Sequence, residues 1–458
     1  MFICLANFLV KVLILTLSLT ITSITYAETN TISLAQVTKD VTYLASDILK
    51  GRHNYSPEIR IAANYIAQRF RENGLVGENG VSKTNYLQKY QVINITPQRL
   101  NLVINGENVP SENLAMASTH VNFSWSMLDI TDSKNFEIHN VSQSDDMHAI
   151  VSKLNHQGGE HLVLVNPAHK VLFERYQDYL QQGTTRLAQQ DANNNSGGVI
   201  VIALSEITGE KVNSISVTGS STVSKNEFIN VVGVLEGKTK PKEIILFSAH
   251  YDHLGAKENQ SDIIYNGADD NASGTTAILN LAEYYANQGN NDRTLIFAAF
   301  SAEEIGGFGS RYFSKQFDPQ SIAAMINIEM IGKASKFGPG TLWMTGMDRS
   351  TLGAQLNKAL TASGKKIYKD PYPEQGLFYR SDNATLARLG VPAHSFSSAQ
   401  LDQDKHYHQT TDDLSSLNLS SLHQVIEMLV TATQPLVNGN ITPSRINKSL
   451  VKSKGLIF

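Results

Sequence analysis

From Asn230 onward, the chain repeats an order of apolar run, loop and helical segment that leaves few architectures open. The strand-like runs are Asn230 to Leu235, Lys242 to Ser248, Thr294 to Phe300 and Ala323 to Glu329. Between them, residues 273–288 carry apolar side chains at helical spacing, and either Asn271 or Ser273 is placed to cap that helix. This alternation predicts an α/β fold, in which a mainly parallel mixed sheet is covered by helices on both faces.

Histidines and acidic residues follow the ends of these apolar runs or lie in the loops between them. They are His250 in SAHYDH, Asp270 in NGADDNASG, Glu303 and Glu304 in SAEEIGG, Glu329 in NIEMIG and His408 in HYHQTTDD. In parallel sheets, ligands bind at the carboxyl ends of the strands. Several carboxylates in one pocket repel each other unless cations or protons neutralise them, and two divalent metal ions would do so.

Length and charge narrow the class of protein further. The chain has 458 residues, of which 41% are hydrophobic and 17% charged, and its net charge is −4. This length suits two or three domains, or one large α/β domain with an insertion. Because the chain has no long block of lysine and arginine, we do not expect nucleic acid as a partner.

The first 27 residues resemble a targeting segment rather than part of the fold. Lys11 precedes an apolar run from Val12 to Ile24, which ends in Thr25-Tyr26-Ala27 before the polar Glu28. The run is short for a membrane span, which needs about 20 residues. We therefore predict a secretory signal at residues 1–27, cleaved after Ala27, and a secreted or periplasmic protein with no membrane span after cleavage. An uncleaved anchor is the alternative.

Cysteine usage constrains how the mature chain binds metal. Cys4 is the sole cysteine, and it lies inside the predicted signal. The mature chain would then form no disulfide, so its core must stabilise it. Metal binding would depend on histidine and carboxylate ligands.

The pattern of apolar and polar residues divides the rest of the chain into four segments. We assign residues 28–97 to the first part of the main domain, because apolar positions 59, 62, 66 and 70 recur at helical spacing. Residues 98–226 contain short strands and many polar turn residues, including 191–198, and are predicted to form an inserted β-rich accessory domain. Residues 227–438 complete the main domain, and 439–458 are expected to be a poorly anchored polar tail.

Five motifs stand in a fixed order in the main domain. They are His250-Tyr251-Asp252, Asp269-Asp270-Asn271-Ala272-Ser273-Gly274, Glu303-Glu304, Asn327-Ile328-Glu329-Met330 and Tyr407-His408. With these motifs the chain resembles a metallopeptidase of the M28 family, whose members are mostly co-catalytic di-zinc aminopeptidases. The resemblance covers about residues 230–438, and residues 33–95 resemble the first part of the same domain. It implies a zinc-exopeptidase-like fold and a peptide substrate, while residues 98–226 loosely resemble a protease-associated domain.

The resemblance also assigns the metal ligands. One ion would bind His250, Asp270 and Glu329, and the other would bind Asp270, Glu304 and His408, so that Asp270 bridges the two. Two Zn²⁺ against three carboxylates leave one positive charge, which a bridging hydroxide would cancel. That hydroxide is the expected nucleophile, because metal coordination lowers the pKa of water from about 15.7 to about 7. Zinc is the expected metal, with other divalent ions as alternatives.

Glu303 is not needed as a ligand, so we predict that it is the general base and acid. Asp252 is predicted to accept a hydrogen bond from the second nitrogen of His250, or else to cap a turn. Asp269 would either support the ligands in the same way or stabilise the start of a helix.

Three further histidines need an interpretation. His253 and His394 are expected to be structural or exposed, and so is His406. His406 competes with His408 as a ligand. The family pattern, in which the ligand follows an aromatic residue and precedes a threonine-rich loop, selects His408.

The chain departs from the family pattern at two positions. Glu329 stands where aspartate is commoner, which shifts the carboxylate by about one bond length. Asn383 stands where relatives often have histidine. Nearby, Tyr379 and Arg380 are predicted to face the substrate, with the Tyr379 hydroxyl bonding the oxyanion; the alternative is that both only pack the loop.

The sequence thus predicts a di-zinc exopeptidase that removes N-terminal residues from peptides. A carboxypeptidase would need a basic cluster for the substrate carboxylate, to which Arg380 alone contributes. A glutaminyl cyclase shares the scaffold but uses one metal ion. A binding module that has lost its metals is the remaining alternative, against which all five ligand positions hold competent residues.

Overall fold

The computed structural model describes residues 31–77, 85–128, 135–188, 197–257 and 263–458. The predicted signal at residues 1–27 lies outside the described residues, as does most of the predicted turn-rich stretch at 191–198. Across the described ranges, no helix is both long enough and apolar enough to cross a lipid bilayer.

The described chain alternates strands with helices. The strands are β1 Val76–Gly77, β2 Leu87–Ile104, β3 Glu107–Asn108, β4 Leu114–Ser118, β5 Asn122–Met127, β6 Glu137–Val141, β7 Gly159–Val165, β8 Thr184–Leu187, β9 Gly198–Leu204, β10 Ile215–Leu235, β11 Lys240–His250, β12 Gly255–Ala256, β13 Ile264–Tyr265, β14 Arg293–Phe300, β15 Ile322–Ile328, β16 Leu342–Met344, β17 Ile367–Lys369 and β18 Ala393–Ser397. The α-helices are α1 Leu34–Leu44, α2 Glu58–Glu72, α3 Met147–Gln157, α4 Lys170–Gln181, α5 Gly274–Gln288, α6 Phe308–Phe313, α7 Leu352–Leu360, α8 Asn383–Ala387 and α9 Leu419–Val437.

One large mixed sheet organises the main domain, in the strand order β17-β16-β18-β15-β11-β14-β10-β2-β3. Its centre is parallel, because β11 pairs in parallel with both β14 and β15, and β15 with β18. Antiparallel pairing occurs outside this centre, between β10 and β14 and between β16 and β18. The predicted mixed sheet is confirmed, and parallel pairing holds at its centre, where the carboxyl ends of β11, β14 and β15 lie side by side at one edge.

Helices cover both faces of this sheet, as predicted. On one face, side chains from α1, α2, α5, α7 and α9 form the larger core with the strands. On the other face, α6, α8 and residues 446–451 pack against the strands. The core is therefore divided into two layers by the sheet, which holds the strand ends in fixed positions.

Helix α5 begins where the sequence predicts it. The side chain of Asn271 accepts a hydrogen bond from the backbone N–H of Gly274, so Asn271 supplies the cap. Ser273 instead donates to the backbone oxygen of Asp269. At the other end, Gly289 has a φ of +54°, the left-handed conformation that commonly ends a helix.

The insertion contains its own four-stranded sheet, in the order β4-β9-β7-β6. Strand β7 is parallel to both β6 and β9, whereas β4 is antiparallel to β9. Each face of this sheet carries an apolar core, one of them shared with α3 and α4. The segment predicted as an inserted domain thus contains strands and two helices.

Two long strands join the insertion to the main domain. Strands β2 and β10 pair from Leu87 opposite Val231 to Ile104 opposite Ile215, with one register shift between Ser220 and Ser221. They run across the predicted domain limits at 97/98 and 226/227. The two units are therefore connected by an antiparallel ribbon, and the division into separate domains stays a prediction.

The expectation of a poorly anchored tail at residues 439–458 is wrong. Ile446 and Val451 are buried in one core of the main domain, and Ile457 is buried in a core of the insertion. The backbone N–H groups of Ile457 and Phe458 donate to the side-chain oxygen of Asn155. The lysines of this segment suggested an exposed tail, but its few apolar side chains are buried and hold it against the fold.

His394 in β18 is buried as a neutral imidazole. Its Nδ1 lies 2.8 Å from the backbone oxygen of Thr345 and its Nε2 lies 2.8 Å from the Ser350 hydroxyl. Nδ1–H must donate, because a carbonyl oxygen only accepts, and Nε2 then accepts from the hydroxyl. Burial lowers the pKa of His394 to about 4.

We predict that, because of His394, the protein loses stability as the pH is lowered from about 6.5 to about 4. In that window the unfolded chain takes up a proton that the folded chain does not, so the free energy of unfolding falls by up to about 3 kcal/mol as the pH is lowered. In metal-free protein, His394→Gln should therefore show a flatter dependence of urea unfolding on pH than the wild type. The exposed His148→Gln serves as control, and identical slopes for all three proteins would contradict the prediction.

Candidate metal centre

The predicted site residues meet at the carboxyl edge of the large sheet. His250 ends β11, Glu303 and Glu304 follow β14, and Glu329 follows β15. Asp270 lies in the turn that leads into α5. These five residues line one cavity together with the apolar side chains of Met330, Trp343, Leu377, Leu401 and Tyr407.

Asp270 faces two histidines at once. Its Oδ1 lies 3.2 Å from Nε2 of His250, and its Oδ2 lies 3.2 Å from Nε2 of His408. Each of these nitrogens has a second carboxylate neighbour, since His250 Nε2 is 3.1 Å from Glu329 Oε1 and His408 Nε2 is 3.3 Å from Glu304 Oε2. The structure thus brings all five predicted ligands into two groups that share Asp270.

The donor atoms of these groups suit zinc, which binds imidazole nitrogen and carboxylate oxygen. The nitrogen Nε2 of His408 is buried without a hydrogen-bond partner, although carboxylate oxygens of Asp270 and Glu304 lie within 3.3 Å. This orientation suits a His408 Nε2 lone pair that binds a cation together with those oxygens. It suits an N–H that donates to one of them less well. Ligand atoms of His250, Asp270 and Glu304 also lie within 4.8 Å of one another. The residues therefore fit a metal ion.

Opposite charges dominate the electrostatics of the metal-free site. Burial alone would raise the pKa of Asp270, but the adjacent imidazoles of His250 and His408 lower it well below its usual value. Burial opposes the charged form of His408, yet its contacts with Asp270 and Glu304 raise its pKa to about 10. Metal ions would replace these imidazole protons, so metal binding would release protons.

Glu303 lines the same cavity as the candidate ligands. Burial raises its pKa well above the usual value; His250 opposes this shift, while the negative charges of Glu329 and Asp382 add to it. A carboxylate of raised pKa accepts a proton readily near neutral pH. The position and the pKa of Glu303 both suit proton transfer.

Three residues of the site have a left-handed backbone that is unusual outside glycine. Ala302, Met330 and His408 have φ values of +60°, +50° and +56°. Such conformations cost about 1–3 kcal/mol each and persist where the surroundings impose them. Ala302 precedes Glu303 and Met330 follows Glu329, so the strained positions aim candidate site residues into the cavity.

Asp252 joins two of the motifs. Its carboxylate accepts hydrogen bonds from the backbone N–H groups of Glu303 and Glu304 and from the side chain of Asn54. Its Oδ1 is 3.7 Å from Nδ1 of His250, beyond hydrogen-bond distance, whereas its own backbone oxygen is 3.1 Å away. The predicted hydrogen bond from His250 to the Asp252 carboxylate is therefore not formed at this distance, and the carboxylate bonds to Asn54 and to the loop after β14.

Asp412 fixes the backbone of the bridging residue. Its carboxylate accepts hydrogen bonds from the N–H groups of Asp269 and Asp270. The carboxylate of Asp269 accepts from the N–H of Gly332 and lies 3.4 Å from the ammonium of Lys333. Asp269 thus connects the turn before α5 to the loop after β15 rather than stabilising the start of a helix.

His253 was expected to be structural or exposed, yet it lies in the site. It is fully buried, and its Nδ1 is 2.7 Å from Oε1 of Glu304. Its distance of three residues from His250 in the HYDH segment is the signal that the sequence offered. His406 instead contacts the hydroxyl of Thr411 through its Nδ1, while His408 faces Asp270.

The two predicted substrate-binding residues differ in position. Arg380 lines the cavity, and its guanidinium is 3.4 Å from the Tyr407 hydroxyl. Tyr379 is not among the described residues that line this cavity, and its hydroxyl accepts a hydrogen bond from Arg349. The structure therefore matches the packing alternative for Tyr379. Asn383 is buried and hydrogen-bonded to the backbone oxygen of Phe378, which gives it a structural role.

Arg52 holds together the loops that carry two of the candidate ligands, and no motif in the sequence points to it. Its buried guanidinium donates to the backbone oxygens of Tyr251, Asn266 and Gly267, and also to that of Leu44. Tyr251 is adjacent to His250, and Gly267 precedes Asp270 by three residues. Burial lowers the pKa of Arg52 to about 10, so the side chain remains charged at neutral pH.

Comparisons with known proteins identify chains of similar sequence and fold. Residues 230–433 match the sequence profile of Peptidase family M28. Aminopeptidase YwaD of Bacillus subtilis (strain 168) is 22% identical over 280 residues, which cover 58% of this chain and 57% of that protein. The probable leucine aminopeptidase of Arthroderma otae is 29% identical over 208 residues, which cover 43% and 54%.

A shorter match has higher identity. The probable zinc metalloprotease of Pyrenophora teres f. teres is 36% identical over 117 residues, which cover 24% of each chain. The chain thus spans about half the length, or less, of the curated relatives it matches. Among solved structures, the aminopeptidase from Aneurinibacillus sp. strain AM-1 has a TM-score of 0.52 at 18% identity, covering 92% of this chain and 97% of that one. This likeness confirms the fold.

We predict that Arg52→Met destabilises the protein by about 3 kcal/mol, because buried carbonyl groups lose their donor. Zinc content should also fall, since the loops on either side of the site lose their common contact. Denaturant unfolding and metal analysis measure the two effects. Arg60→Met, which removes an exposed guanidinium, should change stability by less than about 0.5 kcal/mol, and equal effects of the two changes would contradict the role of Arg52.

Proposed function

We propose, from the premise that the chain is a metallopeptidase of peptidase family M28, that it is a di-zinc aminopeptidase that removes N-terminal residues from peptides. The observation that carries this proposal is the shared position of Asp270 between His250 and His408. A carboxylate with one imidazole beside each oxygen suits two adjacent cations better than a single cation.

In the proposed site, His250, Asp270 and Glu329 would hold one ion, and Asp270, Glu304 and His408 the other. Zinc bound there would acidify a water molecule and polarise the scissile carbonyl. Glu303 would take the proton of the attacking water and return it to the departing amine, which needs a carboxylate inside the cavity with a raised pKa. The Ser381 hydroxyl supports this arrangement by donating to Glu329 Oε2 at 2.7 Å.

The other residues that line the cavity indicate which substrate it suits. Its apolar wall of Met330, Trp343, Leu377 and Leu401 suits an apolar side chain at the N-terminal position of the substrate. Among the described lining residues, Arg380 is the single arginine or lysine. A site for a C-terminal carboxylate would need more positive charge, so the aminopeptidase is favoured over the carboxypeptidase. A glutaminyl cyclase is less favoured, because five ligands around a shared carboxylate exceed the needs of one ion.

The proposed site of action is outside the cytoplasm, in the periplasm or the extracellular medium. Support comes from the sequence, where an apolar run from Val12 to Ile24 precedes a small residue at Ala27. Determining the first residue of the mature protein tests this proposal, and the expected residue is Glu28.

Substituting each of the two adjacent glutamates in turn should separate metal binding from proton transfer. Glu303→Gln should retain its zinc and lose about 10²–10⁴-fold in kcat, because the shape is kept and the proton acceptor is removed. Glu304→Gln should lose zinc, since a ligand charge is removed. Metal analysis with single-turnover kinetics measures both. Loss of metal from Glu303→Gln, or full activity without that carboxylate, would contradict the assignment.

The exopeptidase direction is tested with matched peptides. A leucyl peptide with a free amino group should be hydrolysed, and its N-acetylated form should not, because the proposed reaction requires a free N-terminus. Chelation should abolish the hydrolysis, and zinc should restore it. Equal rates for the free and blocked peptides would exclude an aminopeptidase, and a cyclised product from a glutaminyl peptide would indicate the cyclase instead.

A further inference from the structure

Two histidines and a glutamate meet on the four-stranded sheet of the insertion. Glu137 and His139 lie two residues apart on the edge strand β6, so their side chains project from the same face. His161 lies on the neighbouring strand β7, in register with Glu137. Regular backbone pairing therefore places the three side chains beside one another without help from a loop.

The three ligand atoms form a compact triangle. Nε2 of His139 lies 3.1 Å from Nδ1 of His161, and Oε2 of Glu137 lies 3.5 Å from the first nitrogen and 3.7 Å from the second. A triangle with these sides has a point about 2.0 Å from all three atoms, which matches the distances of about 2.0–2.2 Å at which zinc binds imidazole nitrogen and carboxylate oxygen. The spacing is that of ligands around one small cation.

The other ring nitrogen of His161 forms a hydrogen bond with the backbone. Its Nε2 lies 2.8 Å from the backbone oxygen of Gly158, and a carbonyl oxygen only accepts, so Nε2 carries the proton. In the neutral ring, Nδ1 then presents a lone pair towards His139 and Glu137. Metal-binding histidines are usually oriented in this way, by a hydrogen bond from the other ring nitrogen to a carbonyl or carboxylate.

We propose that Glu137, His139 and His161 bind one divalent transition-metal ion of the zinc class, in a site separate from the peptidase centre. Two imidazoles and one carboxylate favour zinc and its first-row neighbours over calcium and magnesium, which prefer oxygen ligands. The ion ties the edge strand β6 to β7 through side chains, in addition to the backbone ladder. Its role is to stabilise the insertion, and it takes no part in peptide hydrolysis.

The first experiment counts zinc ions in the full chain. The Glu137→Gln/His139→Gln double variant should bind one equivalent of zinc per chain less than the wild type after dialysis against zinc-buffered solution. Peptide hydrolysis should be unchanged, because the peptidase ligands are intact. His120→Gln is the matched control, since His120 lies in the same insertion, 3.3 Å from Glu160, in a pair with a single imidazole. Equal zinc contents for the wild type and the double variant would overturn the proposal.

The second experiment needs no substitution, so a folding defect cannot obscure it. Diethyl pyrocarbonate modifies accessible imidazoles, and the modified positions are mapped by peptide mass spectrometry. In wild-type protein with and without added zinc, His139 should be modified at least tenfold more slowly when zinc is present. His120 should react equally under both conditions, and equal modification of His139 with and without zinc would contradict the site.

A single substitution then separates the carboxylate from the histidines. The side chain of Glu137 is 71% exposed, so Glu137→Gln should leave the fold intact. It should weaken binding of this one zinc ion at least tenfold without changing hydrolysis. An affinity equal to that of the wild type would exclude Glu137 as a ligand. Because the measurement follows metal rather than turnover, its failure would leave the proposed peptidase activity untouched.

Discussion

The position of one carboxylate sets what the site can hold. Both oxygens of Asp270 face imidazole nitrogens, and those nitrogens belong to segments that are far apart in the sequence. A carboxylate in this position bridges two cations only if its backbone is fixed and its oxygens are not bonded elsewhere. Asp412 satisfies the first condition by accepting from the Asp270 N–H, which leaves the side chain for the histidines.

The rest of the site consists largely of backbone loops held by buried polar side chains. Arg52 binds carbonyl oxygens of two ligand-bearing loops, while Asn54 and Asp252 bind the loop that carries the adjacent glutamates. Each of these side chains is buried, and a buried polar group is costly unless it is paired. The same contacts that satisfy these groups therefore define where the candidate ligands lie, so the stability of the fold and the proposed metal binding would depend on common interactions.

Much of this could be predicted from the sequence, because strand ends and ligand residue types are local signals. The apolar runs predicted β11, β14 and β15 and their parallel pairing, and the motifs predicted which histidine and carboxylate side chains meet around Asp270. Arg52 and Asn54 could not be found in this way, since their partners, which are backbone atoms and the Asp252 carboxylate, are distant in sequence. His253 was visible but resembled many ordinary histidines. The segment at 439–458 was misjudged, because its few apolar residues have no periodic pattern and are buried by surfaces formed elsewhere.

The ribbon of β2 and β10 restricts how the protein can be cut and recombined. Pro97 pairs with Ser221, and Asn226 pairs with Val92, so the limits suggested by composition fall at unmatched rungs of one ladder. Excising residues 98–226 would leave one strand overhanging the other. A minimal catalytic unit would instead need a new turn joining matched rungs, such as Val92 and Asn226. The segment 98–226 therefore cannot be removed at those limits without breaking the antiparallel pairing of β2 with β10.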